Sequence, residues 1–361
     1  MPTSSPSPDD GSDNDTPHVA VVACGGTIAS EPDDAGAAPE KTGEDLVAAV
    51  PGVVEHARVT AHEVCSQPGF DVRWRDVFAT AATVREVVAG GADGVVVTHG
   101  TDTLADTAFA LDLLTDLDAP VVVTGAQRRL DEPSSDAPAN LTLAVRAAAD
   151  SRFAPGVHVA FDDELHAARD VVKGHSNTLS TMTAPAKGPV ASFTRAAVQV
   201  HREPRRATEM PALADAFDLN SDADSTAAAT AAERVPEVPV VHSGTGAGAG
   251  QLDRALDADA VGGVVVEGTG LGNVTAALGD RIGAALDRDD SPPVVVSGRP
   301  FAGPTEPVYG TPGGAVTLAD HGVVFAGDLP AAKARVALAL GLAAGLDGDR
   351  LASLFEGPAR R

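Results

Sequence analysis

Residues Val95–Thr107 read VVVTHGTDTLADT, and this stretch decides the fold. Three consecutive valines describe a strand covered on both faces, because a strand with one wet face alternates apolar and polar positions. The chain then leaves the apolar run through a histidine, a glycine and hydroxyls flanking an aspartate, and continues as Ala/Leu sequence with helical spacing. Core packing does not call for those polar side chains. They fall where a buried strand releases the chain into a helix. A second stretch has the same design: Val19–Ser30, VAVVACGGTIAS, is apolar from Val19 to Val22, breaks at Gly25-Gly26 and presents Thr27.

Continuous β-branched runs recur at Val121–Val123, Val157–Phe161, Val238–Val241, Val264–Val266 and Val294–Val296. Between many of them lie segments of helical spacing, such as Thr103–Leu117, Asn140–Ala149 and Leu252–Ala258. Strand–helix alternation of this kind predicts an α/β protein built on doubly wound, mostly parallel sheets. In such sheets the ligand sits beyond the carboxyl ends of the strands, which is where both Gly–Thr junctions lie. The rhythm breaks at 202–237, a segment with prolines, scattered charge and an Ala/Ser/Thr/Asp stretch that reads as a linker. The expected organisation is therefore an acidic disordered tail (1–16), a larger N-terminal α/β domain (17–201), the linker (202–237) and a smaller C-terminal α/β domain (238–361).

Composition bounds the function. The chain has 361 residues, 43% of them apolar, and a mean hydropathy of +0.02, which describe a water-soluble protein large enough for two cores. No apolar run approaches the ~20 residues that span a bilayer. The start, MPTSSPSPDDGSDNDT, has neither the basic nor the apolar region of a secretory signal, which points to the cytoplasm. Net charge is −25, with only four lysines (Lys41, Lys173, Lys187 and Lys333) among 26 basic residues. An acid-rich, lysine-poor surface fits a chain adapted to high salt, where screening removes the self-repulsion. It also repels phosphate backbones, so nucleic acid is not an expected ligand. Cys24 and Cys65 make neither a disulfide framework nor a metal cluster, and no metal or cofactor is expected.

The polar groups at the strand ends of the first domain are Thr27, Ser66-Gln67, Thr101-Asp102 and, in HAARDVVKGHSNT, Lys173. A threonine hydroxyl is a poor nucleophile until a base takes its proton or a cation stabilises the alkoxide. An aspartate next to Thr101 and a lysine supplied from elsewhere could do this, and neighbouring glycines would let backbone N–H groups approach a substrate oxygen.

At these residues the sequence resembles the L-asparaginase family of amidohydrolases, the bacterial and archaeal type with a threonine nucleophile. The resemblance rests on GGTIA (Gly25–Ala29), SQ (Ser66-Gln67), HGTDT (His99–Thr103), TGAQR (Thr124–Arg128), RDVVK (Arg169–Lys173) and the ending AGDLPAAKARVALALGL (Ala326–Leu342), in order over about residues 17 to 350. It implies hydrolysis of the side-chain amide of L-asparagine, with Thr27 as the nucleophile that becomes acylated. Thr101, Asp102 and Lys173 match the family's second triad. Ser66, Gln67 and Asp102 match the clamp on the α-carboxylate and α-amino groups, and the Ala126 carbonyl matches the acceptor for the amide nitrogen. Gly26 and Gly100 match the backbone that lines the substrate. The resemblance also implies homodimers or homotetramers whose sites a neighbouring subunit completes.

The sequence departs from the family on the loop after GGTIA, Ser30–Leu46, which lacks the usual tyrosine; the only one in the chain is Tyr309. Three sources could take the Thr27 proton: an ordered water, the Lys173 group, or Tyr309 of a neighbouring subunit. The plainer expectation for Tyr309 is a ring packed in its loop. Other plain readings are Thr27 as a helix cap, Thr101 or Asp102 as a cap of the helix from Leu104, His99 as a strand-end residue bonded to backbone, and Arg169–Asp170 as a buried pair.

Three other functions remain open, the first a glutaminase, whose substrate differs from asparagine by one methylene. An asparaginase-like, ammonia-releasing subunit of a tRNA-dependent amidotransferase would carry an extra N-terminal domain, where here only the short tail precedes Val19. More distantly, Gly244-x-Gly246-x-x-Ala249 after a strand, with Glu267 closing the next, has the spacing of a dinucleotide-binding turn.

Overall fold

Alternate residues of each valine run serve different cores, which is why the runs are continuous. Val95 and Val97 pack into one core and Val96 into another, and Val265 and Val264/Val266 divide in the same way in the second half of the chain. The computed structural model describes residues 16–33, 36–210, 212–219 and 225–357. The tail expected at 1–16 lies outside these apart from Thr16.

In chain order the first part runs β1 (His18–Ala23), a hairpin β2 (Ser30–Asp33) and β3 (Gly36–Pro39), α1 (Gly43–Ala49), β4 (Arg58–Glu63), α2 (Trp74–Ala89), β5 (Gly94–Thr98), α3 (Leu104–Leu114), β6 (Val121–Thr124), α4 (Ala137–Ala148), β7 (Val157–Phe161), β8 (Glu164–Ala167), a hairpin β9 (Val172–Lys173) and β10 (Met182–Thr183), β11 (Ala191–Phe193) and β12 (Val198–Val200). The second part runs α5 (Ser225–Glu233), β13 (Val240–His242), α6 (Gly250–Leu256), β14 (Val264–Gly268), α7 (Ala276–Leu286), β15 (Val294–Gly298), α8 (Ala315–Asp320), β16 (Val324–Phe325), α9 (Ala331–Ala343) and α10 (Gly348–Ala352).

The first sheet has the order β12-β11-β8-β7-β6-β5-β1-β4. Strands β4, β1, β5, β6 and β7 are parallel, and β8, β11 and β12 extend that sheet antiparallel. Because β4 lies on one side of β1 and β5 on the other, the winding reverses between β1 and β5. Ligands bind at such a reversal, and both Gly–Thr turns leave the sheet there. The second sheet, β13-β14-β15-β16, is parallel throughout.

All the apolar runs read from the sequence form strands, β13 beginning at Val240. The 202–237 segment joins the two sheets and much of it is packed. Ala207, Leu213, Ala214, Phe217, Ala228 and Ala231 are buried in the core shared with α2, and Phe217 lies 4.7 Å from the ring of Phe78. Helix α9 packs on α3 from the first domain and on β14 and β15 from the second, so one core runs through both. No helix among the described residues is long and apolar enough to cross a membrane.

Two buried histidines make this fold acid-sensitive. His158 on β7 and His166 on β8 are 0% and 1% exposed, and their ring nitrogens are buried without side-chain hydrogen-bond partners among the described residues, although His166 Nε2 lies 3.3 Å from Glu164 Oε2. Burial, helped by the Arg202 charge, pushes each down to about 4. Their folded values lie below that of an unfolded histidine, ~6.5, so the stability they allow is complete above that pH and is lost as pH falls toward 4. At about 1.4 kcal/mol per pH unit, each contributes a loss of about 3 kcal/mol. Asp112, which burial pushes up to about 6, acts in the opposite sense, losing stability as pH rises. The histidine part is therefore read by difference: unfolding free energy in a His158→Gln/His166→Gln variant should depend less steeply on pH between 6.5 and 4 than in the wild type. An unchanged slope would refute it.

Candidate active site

Three loops meet beyond the reversal point, and glycines let them touch backbone to backbone. Gly26 follows β1 with φ 86° and ψ −179°, a conformation open to glycine, and a Cβ there would lie 2.3 Å from the Gly100 nitrogen after β5. A Cβ on Gly100 would in turn lie 2.5 Å from the Gly69 Cα in the loop after β4. The Gly26 N–H donates to the Gln67 carbonyl at 3.1 Å, tying the first loop to the loop that carries Ser66 and Gln67. Thr27, Ser66-Gln67 and Thr101-Asp102 are thereby gathered around one point.

Lys173 reaches this point from the β9–β10 hairpin. Its Nζ donates to Thr101 Oγ1 at 2.9 Å and to Asp102 Oδ1 at 2.7 Å. Thr101 is buried, Lys173 is 17% exposed and Asp102 53% exposed, so the cluster runs from the interior to an open face. Ala126, in the loop after β6, is fully buried. On either side of it the Gly125 carbonyl accepts from Asn140 Nδ2 at 3.0 Å and the Gln127 N–H donates to Asp136 Oδ2 at 3.0 Å. The Ala126 carbonyl has no hydrogen bond among the described residues.

The plain readings of these residues fare unevenly. Thr27 is the first residue of a short 3-10 turn capped by Gly26, with no side-chain cap, so it is not a helix cap. Thr103, not Thr101 or Asp102, precedes α3, and the latter two side chains turn to Lys173 instead. His99 Nδ1 lies 2.8 Å from the Gly100 carbonyl as expected, while Nε2 is buried without a partner among the described residues, and burial pushes the ring toward the neutral form. Arg169 and Asp170 do not pair with each other. Arg169 bonds Asp328 at 2.8 Å and the Phe355 carbonyl at 3.2 Å, both across the domain junction. Asp170 instead pairs with Arg202 at 2.7 Å and Lys187 at 3.3 Å. The Tyr309 ring does not pack in its loop but is 56% exposed. Of the two glycine amides that could face a substrate oxygen, Gly26 is spent on Gln67, leaving Gly100.

The loop after Thr27 forms the β2–β3 hairpin and then α1, whose entry is fixed by reciprocal Thr42 and Asp45 hydrogen bonds. The two free thiols directly precede Gly25–Thr27 and Ser66-Gln67, and their mutual influence pushes Cys24 up and draws Cys65 down. In the second domain β13, α6 and β14 form the βαβ unit expected for a dinucleotide turn, but the Glu267 carboxylate lies 2.7 Å from His242 Nδ1. Among the described residues no group of three or more His, Cys, Asp or Glu side chains is placed to hold a metal ion.

Two residues without an assigned role in the sequence support the cluster. Lys333 on α9 is 1% exposed and donates to the carbonyls of Ala168 (2.7 Å), Arg169 (2.9 Å) and Val171, bracing the turn just before Lys173. Burial pushes it down to about 7, although three carbonyl acceptors suit an ammonium. Gln127 accepts from Thr101. Lysine scarcity and the TGAQR motif were the available signals. A cavity of about 560 Å³ at the domain junction, beside Arg169 and Arg202, includes none of Thr27, Thr101, Asp102 or Lys173, and a smaller one of about 260 Å³ is lined by Lys173 but by none of the other three.

Comparison with known proteins agrees with this fold. Residues 18–206 match the model of the N-terminal asparaginase domain and residues 237–355 that of the glutaminase/asparaginase C-terminal domain. The chain belongs to the asparaginase family. A probable L-asparaginase of Deinococcus radiodurans is 35% identical over 94% of this chain and 97% of its own length. A glutamyl-tRNA(Gln) amidotransferase subunit of Halobacterium salinarum is also 35% identical, over 92% of this chain and 76% of its own. A solved structure of a probable cytoplasmic L-asparaginase from Campylobacter jejuni superposes with a TM-score of 0.79 at 28% identity, over 94% of this chain and 99% of that one.

Proposed function

We propose that the protein is an L-asparaginase that releases ammonia from the side-chain amide of L-asparagine and leaves L-aspartate. The observation that carries this reading is the Lys173–Thr101–Asp102 cluster, standing against the glycine junction that presents Thr27. Thr27 attacks the amide carbon, ammonia departs, and water hydrolyses the resulting ester. Lys173 donates into the Thr101 hydroxyl and passes protons between the attacking and leaving groups. The Gly100 amide faces the developing oxyanion and the Ala126 carbonyl accepts from the amide nitrogen. Ser66, Gln67 and Asp102 hold the α-carboxylate and α-amino groups. The Thr27 proton passes to an ordered water, because Lys173 held as an ammonium by Asp102 has no lone pair to take it.

The test is ammonia release from L-asparagine and L-glutamine, assayed in parallel in molar salt. Asparagine should be the better substrate, and release from neither would overturn the reading. A second reading, an ammonia-releasing amidotransferase subunit, is favoured by the Halobacterium relative; co-purification with a second subunit would identify it.

The surplus of 25 acids supports an enzyme suited to high salt in the cytoplasm. Charge repulsion reaches ~30 Å in dilute buffer and ~3 Å in molar salt. The melting temperature should therefore rise steeply between the two, and an unchanged value would remove this reading. Phe301, Val308 and Tyr309, 93%, 57% and 56% exposed in one segment, support a homodimer or homotetramer that covers them.

A further inference from the structure

We propose that Gln127 is a positioning residue that aims the Thr101 hydroxyl at the reacting centre; this rests on the reading of Thr101 given above. Lys173, paired as an ammonium with Asp102, has no lone pair, so its 2.9 Å contact with Thr101 Oγ1 runs from Nζ into the oxygen. The single hydroxyl hydrogen of Thr101 must then go elsewhere, and it goes to Gln127 Oε1 at 3.1 Å. One lone pair of Thr101 remains, and it is the position that can accept from a water or a substrate N–H.

The amide of Gln127 can stand only one way round. Its Nε2 donates to the Thr178 carbonyl at 3.2 Å. A flipped amide would set Oε1 against that carbonyl oxygen, two acceptors facing each other. Thr178 lies in the turn between β9 and β10, so the residue that orients Thr101 also holds the hairpin that delivers Lys173. The backbone below is clamped as well. Asp136, 8% exposed, accepts from the N–H groups of Gln127 (3.0 Å) and Arg128 (2.9 Å) and from Asn140 Nδ2 (3.0 Å). A side chain presented from such a base has few alternative conformers, which suits a group that must fix the direction of one proton.

If the Gln127 acceptor is removed, the Thr101 hydrogen is free to rotate into the open lone-pair position. Substrate should still bind, because the residues proposed to hold its α-groups are untouched, but fewer bound molecules meet a correctly aimed Thr101. Gln127→Met should therefore lower kcat about tenfold to a hundredfold and leave KM within about twofold. Gln127→Glu supplies a signature that loss of packing would not. Its carboxylate can still accept from Thr101, but its other oxygen faces the Thr178 carbonyl unless it is protonated. Its activity should therefore recover toward wild type as pH falls through the titration of that carboxyl, giving an acid-shifted pH profile.

A Gln127→Met enzyme with wild-type kcat, or with an altered KM alone, would overturn the proposal, as would a Gln127→Glu enzyme with the wild-type pH profile. Thr101→Val run alongside separates the two levels. If it is fully active, the reading of Thr101 itself has failed. If it is inactive while Gln127→Met is not, only the role of Gln127 falls.

Discussion

Thr27→Ala should abolish turnover, by ~10⁴-fold or more, while aspartate still binds. The structure explains why so large a catalytic loss need cost little stability. Thr27 caps nothing, its side chain is half-buried, and the turn it opens is set by Gly26, whose conformation and contact with Gly100 do not involve the Thr27 side chain. The substitution thus removes a hydroxyl and leaves the floor on which Ser66, Gln67 and Asp102 stand. Ammonia release and aspartate binding, measured on the same preparation with its melting temperature, decide the matter. More than a tenth of wild-type activity would show that another group attacks the amide.

Lys173→Met should lower kcat by ~10³-fold, and Thr101→Val by a similar factor. Combining them should add little, because a proton relay fails as a unit once either member is gone. Lys173 is 17% exposed and its partner Asp102 53%, so the ion pair is screened, and losing it should cost the fold no more than about 1 kcal/mol. Unfolding is then not a rival explanation for lost activity. Fully multiplicative effects in the double variant would mean that Thr101 and Lys173 act in separate steps. Lys333→Met offers the contrast: that substitution strands three buried carbonyls and should weaken the fold itself.

The parallel strands were legible because burial on both faces demands an unbroken apolar run, and valine writes that demand directly into the chain. Strand β4 was not. RVTAHE lies at the sheet edge, partly exposed along its length, and is held by its register with β1 rather than by its own composition. Strands β8, β11 and β12 escaped for a related reason: they are short, antiparallel and placed by their partners.

Much the same division runs through the site. Sequence alone marked Thr27, Ser66-Gln67, Thr101-Asp102 and Lys173 as candidates, because glycines and polar side chains stand where buried strands release the chain, and the family resemblance added Ala126. It also determined the surface charge and the scarcity of lysine. Tertiary structure alone decided which atoms those groups meet. Arg169 pairs with Asp328, 159 residues away, instead of its neighbour Asp170; Lys333 braces the approach to Lys173 from the last long helix; Gln127 takes the Thr101 hydrogen. The spacing of residues along the chain sets none of these contacts. Each is chosen when a buried polar group, removed from water, must satisfy its hydrogen bonds with whatever the packed elements bring within about 3 Å of it.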